Sequence, residues 1–451
     1  MSKAKWLSVA LGTTAMAAVM AATPAQADRL ESLQRQIDAL QDQVIELKAG
    51  QKAAPEGDCI KWKFDPAPQF GTCDGKFEAN LRGRLMLDAG FVEDDTGALD
   101  VEATEARRAR LGIEGKAWKV FKYKFEVDFS DGAEIDVTDA YMQYKGKDLG
   151  GLTVLLGQAK QTNSLEEQTS SRFVTFSERA AFTDAFEFSR QLGIIIGYAN
   201  EFNNVGYKLD LGAYRGAIGA AGSESQQGRT LSARLATWTK MNDNLFHFGG
   251  SVRSRSVGET QDEELEYEQR PFIHATSRRV VGGEGVPYQA YNTDLFYGVE
   301  GAWQWDAFHV QGEWTQLNAN GFEGGGVGPA DATFGGWYVD AGYFLGGKRG
   351  YKKGKFGRPK VDNPVGLGGW GALQLAYRYD TLDLSDSGFN QGELTQHIIA
   401  VNWWLNRHAL LSFNYANGDI ENLAAGVTDI DPNASGNNGF DAFNVRAQID
   451  W

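Results

Sequence analysis

The chain has 451 residues, 42% hydrophobic and 23% charged, with a formal net charge of −15. That acidity excludes a general nucleic-acid binder, whose phosphate contacts need a basic surface. Past residue 27 no run approaches the roughly 18 consecutive apolar residues of a membrane-crossing helix. Mean hydropathy is only −0.39, yet this still admits a β-barrel, which shows lipid just every second residue.

In chain order, residues 1–27 read as a secretory signal peptide. Lys3 and Lys5 supply the positive start, Leu7 to Ala22 a mostly apolar run, and Ala25-Gln26-Ala27 a small-residue cleavage site. Export removes Cys59 and Cys73 from the reducing cytosol, which favours a disulfide between them. No CxxC spacing supports a zinc site, and no cofactor is implied. Residues 28–52 are expected to form a separate helix. Leu30, Leu33, Ile37, Leu40, Val44 and Leu47 step by three and four, the seam of a coiled coil. So short a helix gains stability mainly by associating with copies of itself. Residues 53–75 read as a linker carrying the two cysteines.

Residues 76–451 alternate with period two. Tyr123, Phe125, Val127 and Phe129 interleave with Lys122, Lys124, Glu126 and Asp128; Phe443, Val445, Ala447, Ile449 and Trp451 interleave with Asn444, Arg446, Gln448 and Asp450. Segments of about ten such residues suit tilted membrane-spanning strands. Sixteen are expected: 76–92, 107–117, 119–130, 134–145, 151–159, 191–200, 204–215, 229–240, 243–256, 291–304, 306–317, 335–345, 369–382, 393–405, 408–418 and 442–451. Their connections alternate long and short, as for extracellular loops and periplasmic turns, except at 131–133 and 346–368. The fold class expected is all-β: a sixteen-stranded antiparallel transmembrane β-barrel preceded by a short periplasmic coiled-coil helix. Sixteen strands enclose a water-filled lumen. Residues 160–190, long and free of glycine, are the natural segment to narrow it.

With apolar residues facing lipid, the alternate positions bring Arg82, Arg84, Arg108, Arg110, Arg234, Arg253, Arg255, Arg378 and Arg446 inward, where guanidinium rows attract oxyanions. Inward acids are also expected, among them Glu78, Asp88, Glu114, Glu126, Asp128, Asp210, Glu300, Glu313, Asp380 and Asp450, so arginines can equally brace the wall. The basic run from Lys348 to Lys360 suits a mouth that concentrates anions or a patch facing phospholipid headgroups. The acidic run from Glu259 to Glu268 reads as a solvated loop face, and Gly324 to Gly328 as a flexible turn. Enzyme signals are poor: His309 lies near Glu313, but no serine completes a triad and no phosphate-binding loop appears.

Three groups of residues carry a resemblance to the phosphate-selective porin O and P family. They are Gly157-Gln158-Ala159-Lys160 through Ser164-Leu165-Glu166-Glu167, Thr169-Ser170-Ser171-Arg172 and Ser177-Glu178-Arg179; then Arg107-Arg108-Ala109-Arg110-Leu111-Gly112; and Tyr351 to Lys360 followed by Gly368-Gly369-Trp370-Gly371-Ala372 and Arg378-Tyr379. The resemblance implies a homotrimeric outer-membrane porin passing small anions such as phosphate or polyphosphate, with outer-membrane lipid around it; the even strand count puts the N-terminus in the periplasm, and the acidic charge gives no expectation of nucleic acid. The resemblance further implies Arg107 and Arg108 as paired arginines, Ser170, Ser171 and Arg179 as loop groups, and Asp139 as a central acid. Arg110, Arg172, Arg253 and Arg255 join them as candidate anion-binding residues. Glu166-Glu167-Gln168 stands where phosphate-selective members carry a lysine, which weighs against strict phosphate selectivity. The alternatives are a general or cation-preferring porin, or a non-conducting attachment protein.

Overall fold

The computed structural model describes residues 32–43, 59–94, 96–132, 134–146, 150–218, 228–256, 265–282, 291–321, 331–386, 389–423 and 436–451. The expected signal peptide, the acidic positions 259–264 and the glycine run at 324–328 lie outside them.

Residues 32–43 form helix α1, with Leu33, Ile37 and Leu40 exposed. Leu30, Val44 and Leu47 of the expected seam lie outside the described residues. Cys59 and Cys73 are joined in a disulfide. Inside the expected linker, Ile60–Phe64 and Pro68–Thr72 pair as a hairpin, because Ile60, Trp62 and Phe64 alternate with Lys61 and Lys63.

The body is sixteen strands: β1 (Glu78–Asp94), β2 (Val101–Ala117), β3 (Phe121–Asp128), β4 (Asp136–Gly146), β5 (Leu152–Lys160), β6 (Arg190–Phe202), β7 (Val205–Tyr214) and β8 (Arg229–Met241). These are followed by β9 (Asn244–Ser256), β10 (Tyr291–Trp305), β11 (Phe308–Gly321), β12 (Asp331–Leu345), β13 (Ala372–Asp386), β14 (Phe389–Trp404), β15 (Ala409–Leu423) and β16 (Gly436–Asp450). Each pairs antiparallel with the next. β16 then returns to β1, from Phe440 opposite Asp94 to Asp450 opposite Arg84, and closes the barrel. All sixteen expected strands are present. Several run further toward the long-connection rim than alternation indicated: β2 begins at Val101 and β15 reaches Leu423. Their ends extend past the roughly ten residues a bilayer requires, where apolar alternation no longer has to hold.

The two faces separate as chemistry demands. On β16, Phe443, Val445 and Ile449 are exposed outward while Asn444, Arg446, Gln448 and Asp450 are buried inward. Short turns on one rim use left-handed residues, as at Asn203-Asn204 between β6 and β7 (φ 48° and 66°); a two-residue hairpin turn with right-handed strand twist requires this. The connection between β12 and β13 sits on the short rim yet is long, because Gly347–Tyr351 and Phe356–Val361 form a hairpin of their own.

The seam is finished by the last residue. Trp451 exchanges backbone hydrogen bonds with Gly83 (N to O, 3.1 and 3.3 Å). Its indole covers Gly83 so closely that any Cβ there would overlap the ring. Gly83→Val should therefore displace the indole and destabilise the closed barrel by about 1–3 kcal/mol. A lower temperature for the folded-to-unfolded band shift in detergent gels is the expected result; an unchanged midpoint would show that Trp451 does not brace the seam.

Candidate functional site

Three connecting segments turn inward and divide the lumen. Residues 161–189, with the short helices α2 (Leu165–Gln168) and α3 (Ala181–Ala185), and residues 265–282 enter from the long-connection rim. The hairpin at residues 347–361 enters from the opposite rim. The first segment is sewn to the wall of β11–β16. Glu313 on β11 accepts hydrogen bonds from Ser164 Oγ (3.0 Å), Leu165 N (2.9 Å), Glu166 N (2.8 Å) and Tyr338 Oη (2.9 Å). Asp380 on β13 accepts from Ala181 N at 2.9 Å, and Arg446 on β16 donates to the Ser177 carbonyl at 2.6 Å. Arg378 bridges Asp340 and Glu166. Phe176, Phe182, Phe186 and Phe188 pack with Tyr267, Phe296, Phe334 and Tyr338 into a dry core behind this segment. The hairpin is held by Arg234, which donates to the Gly354 carbonyl (2.8 Å), and by Phe356 against Leu165 and Trp238.

Along β1–β7, cavities with shared walls are lined by the described residues, and three of them carry charged side chains. The first, about 210 Å³, lies toward the long rim and is lined by Arg107, Arg108, Arg179, Arg190 and Arg270 together with Glu167, Glu178 and Asp184. The second, about 330 Å³, shares Arg190 with the first and presents eight basic side chains against three acidic ones. The third, about 750 Å³, shares Lys122, Arg172, Lys208 and Lys355 with the second and opens toward the short rim; among the described residues its lining has eight basic side chains and no acidic one. Positive excess therefore grows from one rim to the other, inside a chain of net charge −15.

The expected site residues divide between this passage and the opposite wall. A β-bulge where β2 pairs with β1 between Met86 and Asp88 lets consecutive Arg107 and Arg108 both face inward. Arg107 grips Glu178 through two bonds of 2.8 and 3.0 Å. Arg108 is 6% exposed and donates to Met86 Sδ at 3.6 Å. Asp139 sits between Lys124 (2.6 Å) and Arg190 (3.2 Å). Ser170 lines the second and third cavities, and Ser171 accepts from Arg84 at 2.7 Å. Arg172 pairs with Asp450 at 3.2 Å, and Arg179 with Glu167 at 3.2 Å. Arg110 pairs with Asp128 at 2.6 Å and is not among the residues lining these cavities. Arg253 and Arg255 lie elsewhere, on β9, where both grip Asp294 (3.1 and 2.7 Å) and stack over Phe188, Phe296 and Tyr267. Nor is His309 joined to Glu313: it meets Gln374 at 3.2 Å, while Glu313 holds the inserted segment.

Alternation alone marks Lys122, Lys124 and Lys208 as inward. Lys160 and Arg190 flank the inserted segment at the ends of β5 and β6; alternation does not mark them, but both belong to the 160–190 stretch expected to narrow the lumen. The basic run expected at a mouth supplies Lys352, Lys353, Lys355 and Arg358 to the third cavity.

Two carboxylates of the inserted segment are held below their ordinary range. Burial opposes the charge of Glu178, but Arg107, Arg446 and Arg108 outweigh it and hold the carboxyl well below its ordinary range. Burial likewise opposes Glu167, and Arg179 with Lys160 lowers it.

Residues 79–451 match the family model described as phosphate-selective porin O and P. An uncharacterized protein of Caulobacter vibrioides is 33% identical over 368 residues, 79% of this chain and 71% of that protein. Porin O of Pseudomonas aeruginosa is 26% identical over 425 residues, 84% of this chain and 90% of its own length. Among solved structures, the anion-selective porin from Comamonas acidovorans aligns over 83% of this chain and 100% of its own, with a TM-score of 0.51 and 12% identity. In-vitro folded OmpT of Vibrio cholerae gives a TM-score of 0.51 at 13% identity, over 83% of this chain and 98% of its own. Both share the fold.

Because the folded pKa of Glu178 is depressed, its stabilisation is present above the ordinary carboxylate range and is lost only as pH falls through the depressed value. Wild-type single-channel current should be equally quiet from about pH 8 to about pH 5. Glu178→Gln at neutral pH should already show noisier current, having lost charge-assisted bonds of about 1.5–3 kcal/mol. Noise in the wild type by pH 5, or a quiet variant, would contradict this anchoring role.

Proposed function

The chain belongs to the phosphate-selective porin O and P family, outer-membrane β-barrel porins, and on that footing we propose that it conducts small anions, phosphate and polyphosphate among them, along the basic passage beside β1–β7. The observation that carries this reading is the sign reversal: among the described residues, a chain of net charge −15 turns eight basic and no acidic side chains toward its third cavity. In a confined, low-dielectric mouth such a field concentrates anions and repels cations. Arg108 supports a binding step, since a nine-tenths buried guanidinium facing the first cavity has donors for an oxyanion. The functional unit is a homotrimer exported by the N-terminal signal. Helix α1, whose Leu33, Ile37 and Leu40 are exposed, associates with its copies as a periplasmic coiled coil. Weak selectivity among anions is the second reading, favoured by Glu167 beside the passage.

Reconstitution in planar bilayers under a KCl gradient tests the reading: the reversal potential should have the sign of anion preference, and phosphate should block chloride current. Arg108→Ala should raise the blocking concentration about tenfold. A cation-preferring potential would overturn the assignment, and an unmoved blocking concentration would remove Arg108 from the binding step.

A further inference from the structure

We propose that the Glu167 carboxylate is a resident anion of the passage: it occupies the seat formed by Lys160 and Arg179, and a permeating oxyanion must displace it. The inference rests on the anion-pore reading above and names what sets affinity within it. Glu167 lines the first cavity, Lys160 the second, and Arg190 both, so this seat stands at the step between them. One carboxylate oxygen lies 2.9 Å from Lys160 Nζ and the other 3.2 Å from Arg179 Nε. An incoming phosphate or carboxylate would straddle the same two cations in the same way. The carboxylate is nearly covered, at 4% exposure, whereas the Lys160 and Arg179 side chains keep 19% and 17%. The cations are thus reachable from water while their charge is already answered.

The seat does not need Glu167 to keep its shape. Lys160 also donates to the Glu167 carbonyl (2.5 Å), and Arg179 donates to the carbonyls of Glu166 (3.2 Å) and Thr169 (3.1 Å). Helix α2 is fixed independently through Glu313 and through the Glu166–Arg378 pair. Neutralising one carboxylate leaves both cations pinned and unanswered. Arg108, which faces the first cavity without a carboxylate of its own among the described contacts, can reinforce a ligand held there. The resident carboxylate consequently weakens anion retention and favours throughput over capture.

The test uses the full-length protein in planar bilayers, with potassium phosphate titrated into KCl. In Glu167→Gln the phosphate concentration that halves chloride current should fall about tenfold or more, the effect of freeing one charge-assisted pair. The double variant Glu167→Gln with Lys160→Gln should return toward the wild-type value, because the gain passes through Lys160. Should Glu167→Gln fail the detergent-gel band shift of a folded barrel, Glu167→Ser replaces it. An anion-preferring wild type with an unmoved or raised blocking concentration in the folded single variant overturns the role of Glu167 alone. A cation-preferring wild type overturns the pore reading beneath it.

Discussion

A sheet edge cannot be left open in hydrocarbon, where no water answers its backbone N–H and C=O groups. Pairing of β16 with β1 is the constraint from which the rest of this molecule follows. Closure fixes one face toward lipid and one toward the lumen, so a period-two pattern becomes a partition of chemistry: Phe443, Val445 and Ile449 outside, Arg446 and Asp450 inside. It also creates an interior too wide for wall side chains to fill. Three inserted segments answer that, and they do so on one side only.

The lumen is therefore two environments. Against β9–β16 the charged side chains are enclosed and paired: Arg378 with Asp340, Arg253 with Asp294, Arg446 with Asp88. Enclosed charges demand such partners, since stripping one from a buried pair destabilises by about 3–5 kcal/mol. These pairs, with Glu313 and Asp380 capping the inserted helices, hold the segment in place. Against β1–β7 most basic side chains look into cavities, and Lys352 and Lys353 are exposed there. Arg110, paired with Asp128 outside these linings, shows that bracing also occurs in this half.

This explains what the sequence could and could not disclose. Alternation made the sixteen strands, the inward arginines and the short-turn rim readable, because each follows from closure alone. The length and glycine-free composition of residues 160–190 pointed to a structured insert. Two features were out of reach of alternation. Period two places Arg107 toward lipid, and just a bulge, a backbone event without a residue signature here, turns it inward beside Arg108. Arg253 and Arg255 resemble any inward pair in sequence; their separation from the passage depends on Asp294, Phe186 and Tyr267, brought together by strand closure and by two inserts from distant parts of the chain.

The position of the acids completes the physical picture. Among the described residues, the first cavity mixes five basic with three acidic linings, whereas the third has no acidic lining. On the proposed reading, an anion moving from the long rim to the short rim would meet cations progressively less answered by the described fixed carboxylates, so its attraction would rise along the path. Tight seats at the beginning of such a path would trap the ion before it reached the stronger field. On the proposed anion reading, the carboxylates paired with Arg107 and with Lys160 and Arg179 would keep those early seats shallow, while the exposed lysines of the inserted hairpin, on long flexible stems, would attract without gripping.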